Sequence, residues 1–129
     1  MIFVDSNVFM YAVGREHPLR AEARRFFSTA AADHQALVTS AEVLQELLHA
    51  YLPVDRVHTL AAAYELIDRS TIDVWPLESE DVRLAHYLRN QFPEIGARDL
   101  CHFASCRRRG INRIKTFDRG LTVIADRYL

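Results

Sequence analysis

Ile2-Phe3-Val4-Asp5-Ser6-Asn7-Val8-Phe9 is the stretch that decides the fold. Three apolar residues, β-branched or aromatic, end abruptly on a carboxylate followed by two small polar residues. A run with no polar alternation belongs to a strand covered on both faces, which is the condition of a parallel sheet between helices. In such sheets ligands bind in the crevice beyond the carboxyl ends of the strands, so Asp5 is a candidate site residue. The same pattern also suits a helix N-cap, and on this stretch alone both readings stay open. What separates them is whether other acids reach the same edge.

Working outward, a short helix is expected from Ser6 to about Val13, broken by Gly14 to Pro18. Beyond Pro18 the residues Leu19, Ala23, Phe26, Phe27 and Ala30 recur at helical spacing, with Arg20, Arg24 and Arg25 on the opposite side. Ala36-Leu37-Val38 reads as a second buried strand leading into a helix over Thr39 to Leu48. Thr39 and Glu42 have capping-box spacing, which gives Glu42 a structural task. Glu46 has none: it borders the apolar stripe of Val43, Leu44, Leu47, Ala50 and Tyr51, about 40° beyond Ala50 at 100° per residue. A carboxylate there costs free energy unless something charged meets it.

Pro53 ends that helix, and Val54 to Ile67 mark another that closes near Asp68. Thr71 to Leu77 reads as a third strand, and Ser79 as the N-cap of a helix through Leu88. After the break at Phe92 to Gly96, a helix from about Ala97 carries Asp99 in its first turn and ends on Cys106-Arg107-Arg108-Arg109 before Gly110. Acid at the start and arginines at the end also suit the helix dipole. Asn112 to Asp118 reads as a fourth strand that again ends on an acid, and Leu121 to Leu129 as a fifth strand. Strands and helices alternate throughout, which predicts an α/β sandwich around a mostly parallel sheet.

The 129 residues are expected to form one domain, 1–129. Half are apolar and 26% charged, with no run long enough for a membrane span and no basic-then-apolar leader, so a cytoplasmic protein with no membrane partner is expected. Cys101 and Cys106 lie five apart on one helix and read as reduced packing residues. The six histidines show no paired ligand spacing, which argues against a transition-metal site. A net charge of −1 exerts no global pull on nucleic acid. Two local clusters supply cations instead: Arg15, Arg20, Arg24 and Arg25, and Arg107, Arg108, Arg109, Arg113 and Lys115. Solvated helix faces account for at least half of these.

Asp5 and Asp118 thus leave strand ends, while Glu46 and Asp99 sit on helices that follow or flank strands. Four carboxylates at one edge repel one another, which raises their pKa values or recruits a cation; oxygen ligands select a hard ion, Mg²⁺ or Mn²⁺. Such an ion activates water and stabilises charge on a phosphoryl group, so phosphodiester hydrolysis is the implied chemistry.

Asp5-Ser6-Asn7, Ser40 leading to Glu46, Asp99 with Ala104 five residues on, and Thr116-Phe117-Asp118-Arg119 resemble, in order, the four acidic motifs of PIN-domain nucleases, specifically the small VapC-like ribonuclease toxins. The resemblance implies a PIN-like α/β/α sandwich and a Mg²⁺- or Mn²⁺-dependent endoribonuclease. It also implies a homodimer held inactive by a cognate antitoxin. It makes Asp5, Glu46, Asp99 and Asp118 the metal-binding catalytic acids, with Asn7 and Thr116 as polar support. A non-toxin PIN nuclease and an inert interaction module of the same fold are the alternatives. A dehalogenase-like phosphatase needs a second Asp where Asn7 stands, and four scattered glycines build no phosphate loop.

Overall fold

The computed structural model describes residues 1–129. Its first strand, β1 (Ile2–Val4), is fully buried and hands the chain to α1 (Ser6–Val13) through Asp5. The order continues α2 (Arg20–Ala32), β2 (Leu37–Ser40), α3 (Ala41–Tyr51), a 3₁₀ turn over Leu52–Val54, α4 (Val57–Arg69), β3 (Asp73–Trp75), α5 (Ser79–Leu88), α6 (Ala97–Arg108), β4 (Ile114–Lys115) and α7 (Arg119–Tyr128). The four strands are all parallel in the order β3-β2-β1-β4, so the sheet flanked by helices that the sequence predicts is present. The chain steps outward from β1 to β2 and β3, then returns to lay β4 on the other side of β1. The β1/β4 border is therefore the point where strand order reverses, and the crevice outside its carboxyl ends is where such sheets bind ligands.

Two apolar clusters hold the layers. One joins β1 and β2 to α1–α4 through Phe3, Val4, Val8, Phe9, Val43 and Leu47, all 0% exposed. The other joins α5, α6 and α7 through Leu88, Phe92, Phe103, Leu121 and Ile124. Each large side chain so buried contributes about 1.5–3 kcal/mol.

Several local expectations are corrected. The tail is helix α7, not a fifth strand: Leu121, Ile124 and Ala125 share a helical stripe, and Asp118 caps it by accepting from Leu121 N at 2.8 Å. Ser40, not Thr39, caps α3 by accepting from Val43 N at 3.3 Å, because the Thr39 hydroxyl is engaged in donating to Val4 O across the sheet at 2.8 Å. Glu42 instead lies 3.7 Å from Arg98. Glu78, not Ser79, caps α5 in a box with Asp81. The third and fourth strands are shorter than read, three and two residues long.

Four helix ends use the left-handed backbone conformation, one of them Asp55 (φ 56°) after the 3₁₀ turn. After α6 it falls to Gly110 (φ 69°), with Ile111 N donating to Cys106 O and Gly110 N to Arg107 O. The same pair of bonds closes α2 at His34 (φ 52°) and α4 at Thr71 (φ 51°), where a Cβ, at Thr71 a branched one, is strained. Thr71→Gly is accordingly expected to raise stability by up to about 1 kcal/mol, since Thr71 is exposed and its side chain bonds only Ser70 O. Thermal melts check this; a lower melting temperature for the variant would sink it.

Candidate active site

Asp5 is both of the things its sequence context suggested. Its Oδ1 accepts from Ser6 N at 2.7 Å, capping α1, while Oδ2 accepts from Thr116 Oγ1 at 2.7 Å. It is 2% exposed. Thr116 follows β4, so this bond ties the ends of the two strands at the switch point. Thr116 Oγ1 also accepts from Asn7 Nδ2 at 3.2 Å and from Asp118 N at 3.0 Å, and Asn7 Oδ1 accepts from Phe117 N at 3.1 Å. Asn7 and Thr116 thus hold the turn that carries Asp118, whose carboxylate is exposed and caps α7.

Glu46 reaches the same place from the second turn of α3. Its Oε2 accepts from Ser6 Oγ at 3.2 Å, and its Oε1 lies 2.5 Å from His102 Nε2. That nitrogen is also 3.6 Å from Asp5 Oδ1. Ligand atoms of Asp5, Glu46 and His102 all fall within 4.8 Å of one another, whereas Asp99 and Asp118 are not in that group. Asp99 sits half-buried in the first turn of α6, one turn before His102.

The charges show that the acids act on one another. Burial raises Asp5; His102 and the Thr116 hydrogen bond oppose it, and Glu46 adds to it. Asp99 is pushed from 3.8 to about 6, by burial first and then by Asp5, with Asp118 and Glu46 adding and His102 opposing. Burial pulls His102 down, but the Glu46 hydrogen bond and the charges of Asp5, Glu46 and Asp99 more than reverse this. The ring, 1% exposed and tilted over Phe3 at 5.4 Å, is held toward its imidazolium form. It is the counter-charge that Glu46 required at the edge of its apolar stripe.

His102 is the residue that sequence reasoning missed. Scanning the histidines for spacing to one another passed over its spacing to Asp99, three residues earlier on the same helix face. The donor set fits a hard divalent ion: carboxylate oxygens from Asp5 and Glu46, with Asp99 and Asp118 close enough to raise or feel local charge.

The basic clusters divide sharply. Arg108 and Arg109 both reach Asp81, at 2.6 and 2.9 Å, and both reach Glu78; Asp81 is 0% exposed and its carboxyl lies below the usual range, since hydrogen bonds from Arg109, Glu78 N and Arg108 outweigh its burial. Arg109 also lies over Trp75 at 4.7 Å. These two arginines fasten α6 to α5, so the structure gives them the task of ion pairing with Asp81 and Glu78 where the expectation had free cations. Lys115 lies 3.6 Å from Glu22, and Arg24 Nε donates to Ala12 O at 2.9 Å. Cys101 and Cys106 are free thiols, Cys106 buried and its pKa raised by that burial. No helix is long and apolar enough to cross a membrane.

Comparison with known proteins places this geometry. The family model described as PIN domain matches residues 2–127. The chain is 55% identical over 121 residues to ribonuclease VapC23 of Mycobacterium tuberculosis, covering 94% of this chain and 95% of that one. It is 38% identical over 120 residues to ribonuclease VapC13 of the same organism, covering 93% and 92%. Among solved structures, M. tuberculosis VapC20, described as a Sarcin-Ricin loop cleaving toxin, superposes with a TM-score of 0.80 at 19% identity over 95% of this chain and 94% of that one. With its motifs in order, its sheet all parallel and its relatives matched over more than nine-tenths of their length, the chain belongs to the PIN-domain family, among the VapC ribonucleases.

Proposed function

We propose that this chain is a divalent-metal-dependent endoribonuclease, acting as the toxin of a toxin–antitoxin pair in the cytoplasm. The observation that carries the reading is the convergence at the β1/β4 switch point of Asp5 and Glu46 beside His102, with Asp99 raised to about 6 by burial and like-charged neighbours. Structural ion pairs end on cations; this cluster has more negative charge than His102 can balance. Asp5, Glu46, Asp99 and Asp118 are the residues that would hold Mg²⁺ or Mn²⁺, with Asn7 and Thr116 as their support.

When bound, such an ion supplies a more acidic water and charge stabilisation for a phosphoryl group. The protein's own residues do the positioning. Thr116 and the Ser6 amide hold the two oxygens of Asp5 in one orientation, so its carboxylate needs no reorganisation at the moment of reaction. Ser6 and His102 do the same for Glu46. Asp99, half-buried one turn before His102, adds a further carboxylate to the same cluster and would share the ion with Asp5 and Glu46.

The relatives' names support the toxin reading, and the resemblance to that family supports a homodimer and a protein antitoxin. Expressed alone in a bacterium, the chain is expected to arrest growth, and co-expression of its antitoxin to relieve the arrest. Unimpaired growth with abundant folded protein would count against the toxin reading. Cleavage of RNA by the same preparation would then leave a non-toxin nuclease.

A further inference from the structure

A cleft of about 290 Å³ opens beside the acid cluster, lined by Asn7, Tyr11, Arg15, His17, Tyr51 and Arg56. Asn7 is shared: its side chain bonds Thr116 and faces Asp5, and it also forms a wall of this cleft. The arginines here differ from the cations already held in ion pairs. Arg108, Arg109, Arg98 and Lys115 all meet carboxylates. Arg15 is exposed without an ion pair, and Arg56 touches only the Thr59 hydroxyl at 3.2 Å and the Tyr51 ring at 5.5 Å. The single carboxylate on the wall, Glu16, leaves two cations against one anion. The exposed His17 ring is fixed by accepting from Leu19 N at 3.1 Å and by lying 4.6 Å from Tyr11, which in turn meets Phe117 edge-on at 5.4 Å.

Unpaired cations beside a rigid aromatic surface are what a single nucleic-acid strand recognises: phosphates meet guanidinium groups and a base stacks on a ring. We propose that this cleft holds the RNA nucleotide next to the scissile phosphodiester, with Arg15 and Arg56 on its phosphates and His17, backed by Tyr11, under its base. The inference rests on the ribonuclease reading, and it assigns the strand one direction of exit from the acids, past Asn7 rather than along α6.

The test is anisotropy of a short labelled single-stranded oligoribonucleotide across a salt series, with Asp99→Asn in every protein so that the RNA stays intact. Each single-strand phosphate contact contributes a slope of about 0.7 in log K against log salt, so Arg15→Ala with Arg56→Ala is expected to flatten the slope by about 1.4 and weaken binding on the order of tenfold. Arg15→Ala alone, which breaks no packing, is expected to give half the slope change and keeps the test valid if Arg56→Ala disturbs Tyr51. Arg69→Ala, an exposed arginine at the end of α4 far from Arg56, is expected to change neither quantity. Unchanged affinity and slope in the arginine variants, while protein with Asp99 intact cleaves RNA, would overturn the cleft and leave the nuclease standing. Normal RNA binding with lost inhibition by the antitoxin would overturn it in favour of a protein segment. Arginine-dependent binding without cleavage by protein with Asp99 intact would support the cleft and refute the ribonuclease reading.

Discussion

Asp99→Asn is expected to lower RNA cleavage by on the order of 10²- to 10⁴-fold while the protein remains folded. Asp99 accepts no hydrogen bond from the protein and is only half-buried, so the amide replaces it at constant volume and orphans no donor. What is lost is a charge. Asp5→Asn is expected to abolish cleavage as well, but less cleanly. Its Oδ2 accepts from Thr116 Oγ1, and an amide nitrogen there would face a hydroxyl already receiving from Asn7 and from Asp118 N. A cost of roughly 1–3 kcal/mol in stability follows from that mismatch.

The two variants therefore move stability in opposite directions. A carboxyl whose pKa rises on folding from 3.8 to about 6 binds its proton more tightly in the native state, so native stability falls as pH rises between those values and stays lower above them. Asp99→Asn removes that loss. At pH 7 without metal it is expected to melt above the parent, by a margin that solvent screening of a half-exposed group and a lost helix-dipole contact of about 0.3–1 kcal/mol reduce. Purified, folded Asp99→Asn cleaving RNA at the parental rate would remove Asp99 from the reaction.

The second large effect is stabilisation by divalent metal. Glu46 adds to the raised proton affinity of Asp5, and Asp5, Asp118 and Glu46 add to that of Asp99, while His102 opposes both. An ion that binds the native cluster and not the unfolded chain adds about 2.7 kcal/mol at a hundred times its Kd. For a protein of this size that is roughly 10 °C in melting temperature. Mn²⁺ titrated to saturation is expected to produce the shift, EDTA to reverse it, and Asp5→Asn or Asp99→Asn to shrink it. Identical melting curves in EDTA and saturating Mn²⁺ would show that the cluster binds no ion.

Much of this was legible in the sequence because it is local. Apolar periodicity set the order of strands and helices, and the run ending on Asp5 announced a parallel sheet with an acid at its carboxyl edge. The four motif acids were named by position along the chain. Where two local rules competed, the sequence left the choice open or misled. Thr39 and Ser40 both cap well, and only the bond from Thr39 to Val4 O across the sheet decided between them. The last nine residues suit either period, and the Asp118 cap with packing of Leu121 and Ile124 against α6 made them helix.

The pairings that make the site belong to tertiary structure alone. Thr116 meets Asp5 across 111 positions, and His102 meets Glu46 across 56. Arg108 and Arg109 were indistinguishable in sequence from cations free to bind RNA until Asp81 was found buried beneath them. Spacing tells which face of its own element a side chain occupies, and that much the sequence determined for every acid here. Which charge stands opposite depends on the order of strands in the sheet and on the packing of helices from distant parts of the chain, and in this cluster burial and the neighbouring charges together set the protonation of Asp5, Asp99 and His102.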